Sequence, residues 1–141
     1  MTGEFAIAVH AVVYLNHKKQ SLSSEELAKN VCTNPARIRM VMGRLRKAGL
    51  IETREGVNGG YSFEKDAKQI TLCDIGKAVK ARFVGSAWRS GDTDMECLIA
   101  SGMANVMDGL YAEMDALCHE RLKTVTVQDI DDIIFRGKAG E

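Results

Sequence analysis

Apolar residues recur along most of this chain every three or four positions, and polar stretches separate the apolar runs. Phe5, Ala8, Val9, Val12 and Leu15 share one helical face, which predicts a supporting helix from just after Thr2 to about His17. After the polar link Lys18 to Gln20, Ser23 and Glu26 form a capping box ahead of Leu27, Ala28 and Val31. The chain breaks at Cys32-Thr33, and Asn34 then caps a second helix that opens on Pro35 and runs to about Lys47. Beyond Gly49 the pattern switches to alternation, in Leu50 to Arg54 and again in Tyr61 to Phe63. Asn58-Gly59-Gly60 lies between and offers the positive φ angles of a tight hairpin. Thr71 caps a helix to about Lys80, with Leu72, Ile75, Ala78 and Val79 inward. Residues 82–94 lack periodicity and read as a loop. Ile99, Met103, Val106, Leu110, Met114 and Leu117 then mark the longest helical stripe, from about Cys97 to Val125, widened by Leu98, Met107 and Leu122. Thr126 restarts a helix whose Ile130, Ile133 and Ile134 are expected to fold back onto the long helix or its partner. The tail Gly137 to Glu141 is expected to fray.

Two short helices joined by a tight turn and followed by a hairpin spell a winged helix-turn-helix. Winding the second of these helices at ~100° per residue gathers Ile38, Val41, Met42, Leu45 and Ala48 into a buried stripe. Opposite lie Ala36, Met40, Gly43 and Lys47, with Arg39 and Arg46 along one edge and Arg37 and Arg44 along the other. A narrow ridge edged with guanidinium groups suits a major groove ~12 Å wide, its arginines reaching the phosphates and Ala36 and Met40 the thymine methyls. Arg54 at the base of the wing and Asn58 near its tip are placed for the minor groove or the backbone. The expected DNA-contacting set is therefore Asn34, Ala36, Arg37, Arg39, Met40, Gly43, Arg44, Lys47, Arg54 and Asn58.

Charge sharpens this picture. The 141 residues carry no formal net charge. Yet from Asn34 to Arg54 six basic residues face Glu52 alone, a net +5, while from Asp92 to Asp132 ten acidic residues face Arg121 and Lys123, a net −8. Such polarity presents one end to a polyanion and turns the other away. The 45% hydrophobic share and single proline fit an ordered, mainly α chain with a small β-hairpin wing. Its expected parts are a DNA-binding domain at 1–80, a loop at 81–96, and a dimerisation helix with a C-terminal helix at 97–141. Cys32, Cys73, Cys97 and Cys118 are scattered, as in a reducing cytoplasm. The apolar run Phe5 to Leu15 is too short to span a bilayer and lacks the flanks of a signal peptide, so no membrane partner is expected.

Little in the sequence suggests an enzyme. His10, His17 and His119 stand far apart with no triad partner, and adjacent Cys118 and His119 point to different faces of a helix. Gly56, Gly59 and Gly60 lie in a hairpin and do not open a helix, so they form no phosphate-cradling loop.

The run Leu45-Arg46-Lys47-Ala48-Gly49-Leu50-Ile51, then Arg54-Glu55-Gly56 and Asn58-Gly59-Gly60-Tyr61, closely resembles the signature of the Rrf2 family of bacterial transcription regulators. The likeness extends through Thr71-Leu72-Cys73-Asp74-Ile75 to the long helix. It implies a homodimeric, sequence-specific DNA-binding regulator, a repressor, that uses the long helix for pairing. Ile99, Met103, Val106, Leu110, Met114 and Leu117 are then the dimer contacts, and an imperfect palindrome of double-stranded DNA the target. The other reading is a winged-helix protein-interaction module that does not bind DNA. Family members that hold an iron-sulfur cluster carry three cysteines in the loop. Cys97-Leu98 resembles the last of these positions, but stepping back six residues at a time meets Gly91 and Gly85. One thiolate cannot hold a cluster, and Asp92, Asp94 and Glu96 replace thiolates poorly, so no cofactor or metal is expected. Cys97 stands as a candidate one-thiol redox residue, with acidic neighbours Asp94 and Glu96 expected to raise its pKa and leave it inert. If a small effector exists, the loop around Trp88 and the crevice beside the long helix are its expected place.

Overall fold

The computed structural model describes residues 3–136, and within them six α-helices and one two-stranded hairpin. The tail at 137–141, expected to fray, lies outside the described residues. The helices are α1 (Glu4–Lys18), α2 (Ser24–Val31), α3 (Pro35–Lys47), α4 (Leu72–Ala78), α5 (Leu98–Leu122) and α6 (Val127–Phe135); the strands are β1 (Glu52–Arg54) and β2 (Gly60–Ser62).

Local chemistry starts most of these helices. Ser23 and Glu26 close a capping box on α2, Thr71 and Asp74 on α4, and Thr126 and Asp129 on α6. Each pairing satisfies two amide donors that the helix end would otherwise leave unpaired. The Asn34 side chain accepts the Arg37 amide at 2.8 Å and Pro35 occupies the first turn of α3. Between α2 and α3 the turn takes a left-handed residue at Cys32, φ 65°.

Ile7, Ala8, Ala11, Val12 and Leu15 of α1, Leu27 of α2, Ile38, Val41, Met42 and Leu45 of α3, and Ile75 of α4 form one continuous core. The α1 stripe is wider than its periodicity suggests. Ile7, Ala11, Val13 and Asn16 are buried while Phe5 and Val9 are only half-buried, because α3, α4 and α6 all pack around this helix. Ala48, expected in the α3 stripe, is exposed, since the helix ends at Lys47 and the chain turns outward through Gly49 at φ 79°.

The wing is shorter than the alternation implies. Glu52 pairs with Ser62, Thr53 with Tyr61 and Arg54 with Gly60, while Ile51 and Phe63 on either side are drawn into the core. Leu22 adds a bridge to Tyr61, with hydrogen bonds of 2.9 and 2.8 Å, so the chain before α2 braces the hairpin. Positive φ falls on Gly56 and Gly60, whereas Asn58 and Gly59 do not adopt it. Gly59 is required for space instead, because a Cβ there would lie 2.3 Å from the Arg54 carbonyl oxygen.

The helix α4 stops at Ala78, two residues short of expectation, and Lys80 turns left-handed at φ 54°. The loop at 82–94 is irregular, as its composition predicts, and is tied along α5. Asp115 accepts the amides of Phe83 and Val84, Arg89 pairs with Asp108, and the Asp92 amide donates to the Ala100 carbonyl at 3.0 Å. Within the chain α6 folds back onto α1, where the long helix or its partner was the expected cover. Asn16 donates to Asp131 at 3.3 Å in a buried contact, and the His17 and Phe135 rings stack at 4.1 Å, leaving Ile133 and Ile134 exposed. α5 itself, ~37 Å long at ~1.5 Å per residue, buries only Ala104. Leu98, Ile99, Val106, Leu110, Met114 and Leu117 all remain exposed, Leu98 by 85% and Leu117 by 69%. No helix among the described residues is long and apolar enough to cross a membrane.

Candidate nucleic-acid interface

The outer face of α3 is the ridge that the helical winding predicts. Ala36, Met40, Gly43 and Lys47 are exposed, Met40 by 42%, and nothing lies within 4 Å of the point where a Gly43 Cβ would stand. Small side chains here let the helix backbone approach a partner closely.

The two arginine edges differ. Arg39 and Arg46 are exposed on the side facing α2, where Arg39 donates to Ser24 Oγ at 3.3 Å and lies 3.9 Å from Glu25. A solvent-exposed ion pair of this kind is worth only about 0–1 kcal/mol, so phosphate can replace it. The other edge is folded against the body. Arg44 donates to Glu4 Oε2 at 2.6 Å and to the Val79 carbonyl at 3.5 Å, and the Arg37 guanidinium lies over Gly3. Of the expected contact residues, then, these two are turned back toward α1 while the rest of the α3 set faces outward. Asn34 spends its Oδ1 on the helix cap.

At the wing, Arg54 sits in the last ladder pair and bonds Glu64 at 2.8 Å, again in an exposed pair. Glu64 also hydrogen-bonds and repels Glu52, which raises the Glu52 carboxyl above its ordinary value. Asn58 is exposed on the five-residue loop that follows Arg54. Val57 beside it is fully exposed and is absent from the expected set, although a lone apolar residue among glycines and polar groups is the available signal. Lys77, Lys80 and Arg82 form a second basic group, one that helical periodicity does not bring out.

Cys97 caps the start of α5. The backbone amides of Ala100 and Ile99, in the first turn of α5, hold the thiol below its ordinary value. The expectation that acidic neighbours would raise it is thus overturned, because the first-turn amides of α5 lower it and Asp94 and Glu96 do not outweigh them. The crevice expected beside Trp88 exists, at about 250 Å³, lined by Trp88, Arg89, Met103, Met107, Asp108 and Tyr111.

A helical core, an exposed helix in second position of a helix-turn-helix and a braced glycine-rich hairpin together define a winged helix-turn-helix protein of the DNA-binding class. A sequence model of the Rrf2 family, described as iron-dependent transcriptional regulators, matches residues 1–132, and the chain belongs to that family. Its relatives are transcriptional regulators and not enzymes. YwnA of Bacillus subtilis (strain 168), a candidate HTH-type transcriptional regulator, is 25% identical over 135 residues, covering 96% of this chain and 99% of its own. A candidate transcriptional regulator from Lactobacillus plantarum superposes with a TM-score of 0.79 at 25% identity, over 97% of this chain and 93% of that one. IscR of T. potens shares the fold at a TM-score of 0.69 and 17% identity, over 100% and 92% of the two chains.

The iron named in the family's description needs a donor set, and the residues present do not fit one. The loop supplies Cys97 alone, Cys73 is buried in α4, and no three His, Cys, Asp or Glu side chains converge among the described residues. A cluster held by thiolates has no counterpart here.

Proposed function

We propose that this protein is a homodimeric, sequence-specific DNA-binding repressor of the reducing cytoplasm that occupies an imperfect palindrome. The observation that carries the reading is the exposed α3 ridge of Ala36, Met40, Gly43 and Lys47, edged by Arg39 and Arg46 and flanked by the wing. In this reading the ridge enters the major groove, Arg39, Arg46 and Lys47 neutralise phosphates, and Arg54, Val57 and Asn58 touch the backbone or minor groove beside it. Arg37 and Arg44 hold α3 against α1 and set the angle at which the ridge is presented.

Pairing follows from α5. An apolar stripe from Ile99 through Met103, Val106, Leu110 and Met114 to Leu117 is left facing water, and a second copy of the same stripe is its natural cover. Two-fold symmetry then presents two α3 ridges to successive major grooves, and a promoter held in this way is closed to transcription.

Selection from a random duplex pool, followed by titration of the recovered site, tests this. The wild-type protein should recover an inverted repeat. Arg39→Ala with Lys47→Ala should weaken binding to all sequences alike and lower the salt slope by about 2, one for each phosphate no longer neutralised. Unchanged affinity and slope in that double variant would remove the assignment.

A further inference from the structure

A cavity lies behind the recognition ridge. It is a cleft of about 830 Å³ between the start of α1, the ends of α3 and α4, and the first residues of the loop. Arg44, Lys47, Lys77, Lys80 and Arg82 line it, and Glu4 is the one carboxylate on its wall, giving the lining a net +4. Glu4 is already held by Arg44 at 2.6 Å. Among the described residues no carboxylate comes within 4 Å of Lys47, Lys77, Lys80 or Arg82. The rings of Phe5 and Phe83, edge to face with centroids 4.9 Å apart, add an apolar portion to the wall.

Cations crowded into a concavity repel one another and focus the field on any anion that enters. A folded chain gains by neutralising them, and within ion-pair distance only Glu4 does so, at Arg44, while Asp115 and Glu120 act on Arg82 and Lys77 from farther off. We propose that this cleft binds a small, multiply charged anion, phosphorylated or polycarboxylated, which competes with Glu4 for the Arg44 guanidinium. Arg44 suits the exchange because its planar fork accepts a phosphate as readily as a carboxylate. The duplex itself fits this place poorly. Arg44 points back toward Glu4 and the Val79 carbonyl, and of the cations lining the cleft only Lys47 also belongs to the exposed α3 ridge that a phosphate rail would follow.

Occupancy would be felt by the ridge, because Arg44 and Lys47 belong to α3 and Arg44 ties that helix to α1. This regulatory consequence rests on reading α3 as the DNA-contacting helix; anion binding does not.

Calorimetric titration of the full chain without DNA, at about 0.15 M salt, tests the proposal with sodium pyrophosphate in one arm and citrate in the other. Saturable binding at one site per chain is expected in at least one arm, and the tighter arm identifies the charged group. Lys77→Gln with Arg82→Gln should weaken that binding about tenfold. Glu4→Gln should tighten it by freeing Arg44, a direction that a misfolded variant does not produce. Absence of saturation in both arms, indifference to the double variant, or no tightening by Glu4→Gln would each overturn the proposal. So would a double variant that, without anion, binds DNA more weakly and with a flatter salt slope, since the cleft would then be a backbone contact. A protein that binds pyrophosphate as described but selects no duplex would instead count against the repressor reading alone.

Discussion

Asp115, midway along the second half of α5, accepts the backbone amide of Phe83 at 2.6 Å. The same oxygen takes the Val84 amide at 3.1 Å, and the other lies 3.4 Å from His119 Nε2. Phe83 in turn packs edge-on against Phe5 and His119. One carboxylate thus anchors the start of the loop between α1 and α5. Burial alone would raise its pKa, but the two amides, His119 and Arg82 outweigh burial and hold Asp115 below its ordinary value.

Asp115→Ala should therefore release the loop, at a cost of about 1.5–3 kcal/mol for a charge-assisted bond, and open residues 83–96 to limited proteolysis. In the wild type the anchor's contribution is complete above the ordinary carboxylate range, because the folded value is the lower one. It should fade as pH falls below that range and through the lowered value. Cleavage rates followed from neutral pH into acid, with a protease active throughout, check the sign.

Two glycines should respond in opposite ways. Gly43→Ala meets nothing within 4 Å and replaces a flexible residue inside α3, so it should stabilise the fold by about 0.5–1 kcal/mol, visible as a higher Tm. On the proposed interface the added methyl should still lower affinity for the selected site. A Cβ on Gly60 would stand 2.3 Å from the Leu22 carbonyl oxygen, and φ there is 140°. Gly60→Ala should destabilise the wing by roughly 1–3 kcal/mol.

Val106 is 59% exposed at the centre of the α5 stripe. Val106→Glu should leave the helical circular dichroism of the chain unchanged. On the proposed pairing it should raise the dissociation constant of the dimer, measured by sedimentation, on the order of 100-fold, since pairing would bury an uncompensated charge. A variant that remains as dimeric as the wild type would remove α5 from the pairing surface.

Cys97 is exposed at the N-terminus of α5, whose first backbone amides lower the pKa of its thiol. Its alkylation by iodoacetamide should reach half its maximal rate at a pH below that of an ordinary thiol, measured by mass spectrometry of the labelled peptide.

Helix starts are legible in the sequence because their signals are short-range. Ser23 with Glu26, Asn34 with Pro35, Thr71 with Asp74 and Thr126 with Asp129 each act within one turn. The exposed ridge of α3 is legible for the same reason, since periodicity alone sorts its faces. What could not be read depends on contacts between distant residues. Winding places Arg44 beside Lys47, but only Glu4, forty positions earlier, turns it inward. The apolar face of α6 is visible in its pattern, yet its choice of α1 over α5 rests on Asn16 meeting Asp131 across 115 positions. For Cys97 the neighbours in sequence, Asp94 and Glu96, point the wrong way, because the amides of the helix it caps lower the pKa of the thiol.

That long-range closure bears on how the polypeptide is made. While the chain is still emerging from the ribosome, the underside of α1 that α6 will cover is bare, and Asn16 has no buried acceptor. Translation must carry residue 135 clear of the exit tunnel before the seam can shut, so nascent intermediates expose a greasy surface that chaperones can hold.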